Sequence, residues 1–153
     1  FAGPSAGSFV LAVQDAVIAA ENAVIAAESL GIGSCYIGDI MEQKEYHKTL
    51  FNLPEYVFPV AMLTLGYYPE DYMVPLKERF AEKYVVFEER YNELSKEDID
   101  DMFRKRDQLF TAKNKYNAKN YAQMHYNFKV KAPFSKEMQR SVEEALKEWD
   151  KKE

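Results

Sequence analysis

Residues 9–30 form a long and almost wholly apolar stretch. Polar residues interrupt it in adjacent pairs, each pair seven positions after the last: Gln14 and Asp15, Glu21 and Asn22, and Glu28 and Ser29. The positions between the pairs hold only Val, Ile, Leu or Ala. On an α-helix this spacing gathers the polar groups into one narrow stripe. The pattern therefore predicts a long helix that is covered by other protein on most sides.

Small alanines along this helix would let another backbone approach closely. Three interpretations fit the pattern: the helix crosses its copy in a second subunit at a dimer axis, it lies in the core of a monomer, or it spans a membrane. Polar side chains that recur along the whole length make the membrane span the weakest of the three. We expect a homodimer, while the monomer core stays open from the residues alone.

The rest of the first half predicts short alternating elements. Gly31 and Gly33 are expected to end the long helix, where a residue with positive φ is commonly found. Residues 34–40 predict a brief strand, residues 42–51 a short helix, and the uncharged stretch 58–68 a strand covered on both faces. Residues 69–86 carry two prolines and mixed charge, and they predict a loop with extended segments.

The character of the chain changes after residue 86. Ser95 and Asp98 have the spacing of a capping box that opens a helix, and a second helix is predicted from Ser135. Helices outweigh strands, and the elements are segregated along the chain, which argues for an α+β fold. We predict two parts, residues 1–86 and residues 87–153.

Composition narrows the functional classes. The chain has 153 residues, the size of one domain, and its net charge of -5 favours neither nucleic acid nor membrane as a partner. Cys35 is the single cysteine, which fits a reducing, cytoplasmic compartment. The first residues, FAGPSAGS, resemble the end of a loop. We therefore expect that an N-terminal portion of the protein precedes them.

Two short segments could bind a ligand. In residues 31–38, GIGSCYIG, glycines would let the backbone approach a flat or charged group, although glycines at such a connection often serve turn geometry alone. In an extended segment Lys77 and Arg79 would point to the same side and could hold a phosphate between them. Pairs of cationic residues with this spacing are also common on protein surfaces, where they often contact only water. Neither signal is specific when taken alone.

Together with their neighbours, these segments carry a resemblance. The order is the Ala-rich helix, then GIGSCYIGDI, a short helix, NLPEYVFPVAMLTLGYYPED and PLKERF. Over residues 9–80 this order, its spacing and its residue types resemble the C-terminal half of the FMN-dependent nitroreductase family. Several linked motifs at the family's spacing are far more specific than any one motif.

The resemblance implies an α+β sandwich in which two subunits interlock through long central helices, with FMN bound at the interface. Tyr36, Ile37 and Gly38 would lie along the isoalloxazine, and Lys77 and Arg79 would hold the ribityl phosphate. It implies ping-pong hydride transfer from NADH or NADPH to a nitroaromatic, quinone or similar acceptor. Flavin N5 would carry the hydride, so no catalytic side chain is expected.

The sequence also departs from the family pattern. Family members begin with an R-x-S-x-R type segment that binds FMN, and they have a mid-chain Asn that contacts the flavin ring; neither occurs in these residues. On this basis residues 1–86 are expected to be the C-terminal half of a nitroreductase-like FMN domain. Residues 87–153 are expected to be a helical, family-variable extension that packs on the domain or on the partner subunit.

Other candidate chemistry is weaker. His47 and His125 have no further ligands at metal-binding spacing, so no metal site is expected. Residues 104–136 hold nine Lys or Arg against one Asp, with aromatic residues interleaved. Such a mixture suits a single-stranded nucleic-acid surface, but an extension packed on the partner explains it better, so nucleic acid is not expected. The alternative function is a non-catalytic helical interaction domain whose basic, aromatic tail binds a protein or nucleic acid.

Overall fold

The long helix α1 spans Ala6–Ser29 and confirms the prediction from the polar stripe. It begins three residues earlier than its apolar pattern, because the Ser5 hydroxyl accepts a hydrogen bond of 3.3 Å from the backbone N–H of Ser8. It ends before Gly31, whose φ is 72° as a helix end requires. The computed structural model describes residues 3–73, 75–111 and 113–150.

The other elements of the described residues are two strands, four further helices and two 3-10 turns. In chain order they are β1 Ile32–Ile37, a 3-10 turn Gly38–Met41, α2 Lys44–Leu50, β2 Met62–Tyr67, a 3-10 turn Glu82–Tyr84, α3 Lys96–Gln108, α4 Tyr121–Lys129 and α5 Pro133–Trp149. The chain divides into two compact units, residues 1–72 with 133–153 and residues 73–132. The predicted division between residues 86 and 87 stays a prediction.

In the first unit, β1 and β2 form an antiparallel pair that places Ile32 opposite Tyr67 and Ile37 opposite Met62. Helix α1 packs against β1. The strand predicted at 34–40 ends at Ile37, because the next residues turn into the 3-10 helix. Most residues of β2 are exposed, so the described residues do not supply the cover on both faces that its apolar sequence predicts.

Helix α1 shows the same excess of apolar surface. Among its described residues, only Phe9 and Ala27 are buried. Large apolar side chains are exposed along the whole helix, at Leu11, Ile18 and Ile25. By length and composition alone, the helix could also cross a membrane. Contiguous apolar surface of this extent is typical of a face that contacts other protein or lipid.

Helix α5 returns to the first unit and packs against α1 and α2. It starts at Pro133 rather than at Ser135, because proline suits the first turn of a helix. Near its end, Trp149 meets the ring of Phe9 edge-on, with 5.3 Å between the ring centroids. Residues at the two ends of the chain therefore share one small core.

The second unit contains α3 and α4. The predicted capping box is confirmed: the Ser95 hydroxyl accepts from the Asp98 N–H at 3.1 Å, and the Asp98 carboxylate accepts from the Ser95 N–H at 3.0 Å. The Ser95 hydroxyl also donates to the Asp98 carboxylate at 2.7 Å, and this hydrogen bond, together with the one from the Ser95 N–H, lowers the pKa of Asp98. Helix α4 was not predicted. Its start is capped by Asn120, which accepts from the Gln123 N–H at 2.8 Å.

Candidate functional site

Tyr36, Ile37 and Gly38 lie together where β1 ends and the 3-10 turn begins. The side chain of Tyr36 is 40% exposed, and a Cβ built on Gly38 would meet nothing within 4 Å. As the first residue of the turn, Gly38 has an N–H with no acceptor inside the turn. This corner therefore presents an aromatic ring and an open stretch of backbone to solvent.

Glu21 of α1 holds Tyr36 in place. The Tyr36 hydroxyl donates a hydrogen bond of 3.2 Å to the Glu21 carboxylate. Desolvation, then this hydrogen bond and the carboxylate charge, raise the pKa of the Tyr36 phenol above its ordinary value. Glu21 belongs to the polar stripe of α1, but no local sequence pattern connects it with Tyr36.

The three glycines of residues 31–38 have three different roles. Gly31 provides positive φ for the turn after α1. Gly33 is buried, and a Cβ there would lie 2.4 Å from Cζ of Tyr68, so its hydrogen lets the Tyr68 ring pack on the strand. Tyr68 also stacks on Tyr72, with 5.3 Å between centroids. A Cβ on Gly31 or on Gly38 would meet nothing within 4 Å, but positive φ already accounts for a glycine at position 31, whereas no such requirement is seen at Gly38.

Lys77 and Arg79 form a second candidate group, called here the cation pair. They lie in residues 75–81, a segment without helix or strand, and both side chains are exposed. Among the described residues, none of the ion pairs involves either of them. Glu78, which separates them, pairs with Lys105 of α3. The cation pair is therefore available to an anion.

The five predicted residues fall into these two groups. Tyr36, Ile37 and Gly38 belong to the first unit, and the cation pair belongs to the second. Residues 3–73, 75–111 and 113–150 hold no cluster of three His, Cys, Asp or Glu side chains that could bind a metal. The prediction that no metal is bound stays a prediction.

An apolar groove of about 180 Å³ is one concave feature of the first unit. It lies between α1, α5 and the segment before β2, and its lining includes Phe9, Val13, Phe58 and Trp149. None of the described residues that line it is charged. It therefore lacks the groups that would orient a phosphate or a redox cofactor.

Helices packed with an antiparallel strand pair make this an α+β protein, as the segregated elements predict. Residues 2–67 match the model of the nitroreductase family. A structure of NfrA2 from B. megaterium is similar to 98% of this chain, with 30% identity and a TM-score of 0.74, and the chain covers 59% of it. The resemblance is confirmed: residues 2–67 match the nitroreductase family by sequence, and most of the chain is similar in fold to solved nitroreductase structures.

Two further relatives carry functional names. A Cr(VI) reductase of Pseudomonas sp. (strain G-1) is 40% identical over 62 residues, which is 40% of this chain and 26% of that protein. The NADPH:FMN oxidoreductase of Vibrio harveyi, solved in complex with NAD+, shares the fold at 22% identity, with a TM-score of 0.72 over 94% of this chain and 58% of that chain. The chain thus spans less than two thirds of the length of these relatives.

Proposed function

We propose that the protein is an FMN-dependent NAD(P)H oxidoreductase that reduces nitroaromatics, quinones or similar acceptors by ping-pong hydride transfer. One observation carries the proposal. In a chain whose residues 2–67 match the nitroreductase family, the open backbone at Gly38 and the exposed ring of Tyr36 lie side by side at the end of β1. The names of the V. harveyi and Pseudomonas relatives support a flavin-linked reduction.

The corner at the end of β1 fits the ring system of a flavin. Gly38 has no Cβ to keep a flat group away from its N–H, and a backbone donor facing the N5 and O4 edge would stabilise the reduced, anionic flavin. Tyr36 would lie along the ring as a neutral phenol, held by Glu21. When bound, FMN would accept a hydride from NADH or NADPH and pass it to the acceptor.

The cation pair is chemically suited to the phosphate end of an FMN molecule. A phosphate carries nearly two negative charges at neutral pH, and Arg with its planar fork is well suited to bind two of its oxygens. Lys77, which lies on the other side of Glu78 in the sequence, adds a second, compact positive charge. Because neither cation has an ion-pair partner in the part of the chain that the structure describes, binding would not require an existing pair to break.

The protein would work as a homodimer in the cytoplasm. The exposed apolar residues of α1 supply a surface that a second subunit could cover, and the alanines between them would allow close helix packing. The polar stripe of α1, with Glu21 engaged by Tyr36, fits a protein environment better than lipid. In this arrangement the partners are a second copy and a small-molecule acceptor, with neither membrane nor nucleic acid involved.

A visible absorption spectrum, recorded with the intact mass of the same sample, tests the proposal. The purified protein, supplied with FMN and then freed of unbound flavin, should retain the flavin bands, and NADH or NADPH should bleach them in the absence of oxygen. Gly38→Val should weaken flavin retention without lowering the unfolding midpoint, because its side chain would extend into open space. A protein that stays colourless after exposure to FMN would contradict the proposed function.

A further inference from the structure

Residues 78–80 are attached to α3 by two consecutive residues of that helix. Lys105 donates from its ammonium group to the Glu78 carboxylate. Arg106 donates from Nη2 to the Glu78 backbone carbonyl at 3.3 Å, and its guanidinium lies 3.8 Å from the centroid of the Phe80 ring. Phe80 also meets Phe103 of α3 edge-on, at 5.2 Å between centroids. The residue between the two cations is thus fixed by both its side chain and its backbone.

Of these attachments, the one through Arg106 is the stronger. Lys105 and Glu78 are 72% and 65% exposed, and surface ion pairs of this kind contribute little. Arg106 is half-buried, and its guanidinium also lies 5.4 Å from the ring centroid of Tyr121 in α4. Two aromatic rings and a carbonyl group therefore define its position, which a flexible surface side chain would not have.

We propose that Arg106 is a positioning residue for the cation pair: by holding Glu78 and Phe80 on α3, it fixes how Lys77 and Arg79 are presented to the phosphate of FMN. The inference rests on the proposed function. Residues 75–81 belong to no helix or strand, so the contacts that Glu78 and Phe80 make with α3 hold this segment in place instead. With Glu78 engaged on α3, the cations on either side of it are left without ion-pair partners among the described residues.

The chemistry of phosphate binding explains why such positioning matters. Two cations bind a phosphate well only if both reach its oxygens in the same geometry, and a long side chain on a loose segment loses conformational entropy when it does so. A segment held in advance loses less, because its backbone is already ordered. Arg106 would then affect affinity for the phosphate without contacting the phosphate.

Comparing FMN with riboflavin, which lacks the phosphate, isolates this effect. The dissociation constants of both flavins are measured for the unaltered protein and for Arg106→Gln and Arg106→Lys. We expect the preference for FMN over riboflavin to fall about tenfold in both variants, with riboflavin binding unchanged. Lysine keeps the charge but loses the planar stack on Phe80, so it should not rescue the preference.

Arg104→Gln is the matched control. It removes a positive charge from the same helix, but Arg104 pairs with Asp101 of its own helix at 2.8 Å and has no contact with the cation pair among the described interactions. It should leave the preference for FMN unchanged. Far-ultraviolet circular dichroism and the unfolding midpoint of each variant establish that α3 is still folded.

The remaining outcomes separate the inference from the proposed function. If Lys77→Ala combined with Arg79→Ala abolishes the preference but both Arg106 variants retain it, the positioning role is wrong and the flavin site stands. If Arg106→Lys alone retains the preference, the positive charge of residue 106 is sufficient. If affinity for riboflavin falls as much as affinity for FMN, Arg106 has a general structural role. Either result overturns the inference. If the unaltered protein shows no preference for FMN, the phosphate site is wrong and the inference fails with it.

Discussion

The hydroxyl of Ser141 in α5 accepts a hydrogen bond of 3.1 Å from the backbone N–H of Lys44, the first residue of α2. One turn earlier in α5, Glu137 accepts from the N–H of Gln43 at 3.0 Å. Gln43 has a φ of 50°, and its own side chain makes no capping hydrogen bond. Helix α5 therefore supplies the N-terminal cap that α2 lacks in its own sequence.

Replacing Ser141 by Ala should destabilise the first unit. Ser141 is 0% exposed, so the Lys44 N–H would lose its acceptor in a buried place, at a cost of about 1–3 kcal/mol in the free energy of unfolding. Urea unfolding followed by circular dichroism measures this change. Gln139→Ala, on the exposed side of the same helix, is the control and should stay within about 0.5 kcal/mol. Equal midpoints for the two variants would contradict the capping role.

The stability of the first unit should fall as the pH drops from about 4.5 to about 2. Hydrogen bonds from Arg140 lower the pKa of both Glu45 and Glu137 from the ordinary 4.5 to about 2. In this window the unfolded carboxyl groups bind protons that the folded ones do not, so acid favours unfolding. The measurement is the free energy of unfolding as a function of pH.

Arg140→Gln should flatten that dependence between pH 4.5 and 2, because the two carboxyl groups would then titrate closer to their unfolded values. Lys147→Gln is a suitable control. It removes another cation from α5 whose partner is Glu144 of the same helix. If the Arg140 variant and the control give parallel curves, the ion pairs of Arg140 do not link α5 to α2 in solution.

Replacing Lys77 and Arg79 together by Ala should loosen FMN. The loss of charge-assisted hydrogen bonds to a phosphate should cost at least about 2 kcal/mol, or about thirtyfold in the dissociation constant. Riboflavin should bind as before, and the difference between the two flavins should shrink as salt is added. Lys83→Ala, whose cation already pairs with Asp101 at 3.0 Å, serves as the control. Unchanged FMN retention in the double variant would remove the cation pair from the site.

Ala19→Glu or Ala23→Glu should split the proposed dimer. Both alanines are exposed in the single chain, so the new carboxylate should not disturb its fold. In a close helix crossing, however, a buried and unpaired charge costs several kcal/mol. Sedimentation gives the oligomeric state, and Asn22→Glu, within the polar stripe of the same helix, is the control. A variant at Ala19 or Ala23 that still sediments as a dimer would place the interface elsewhere.

Local sequence signals determined most of the helices. The paired polar residues of α1, the capping box of Ser95 and Asp98, and Gly31 each act within one or two turns of the chain. Such signals are readable from the sequence because the interacting groups are three or four positions apart. Helix α4 was not predicted because it lacks such local signals. It has only nine residues, no acidic residue in its first turn and no clear apolar stripe.

The arrangement of the elements depended on contacts that no local pattern contains. Ser141 and Lys44 are 97 positions apart, and Tyr36 and Glu21 are 15 apart on different elements. The sequence marked Lys77 and Arg79 as a possible phosphate site, but only the structure connected Glu78 with Arg106, 28 positions away.

Local sequence patterns were therefore enough to indicate the family resemblance and the α+β class, and they supplied the residues that we propose for the flavin site. Only the folded chain shows that Gly38 faces open space and that Tyr36 is hydrogen-bonded to Glu21. It also shows that Glu78, between the two cations, is attached to α3. The physical reason is that a residue type and its near neighbours set local conformation. Burial, and the pairing of distant hydrogen-bonding groups, exist only once the chain has folded.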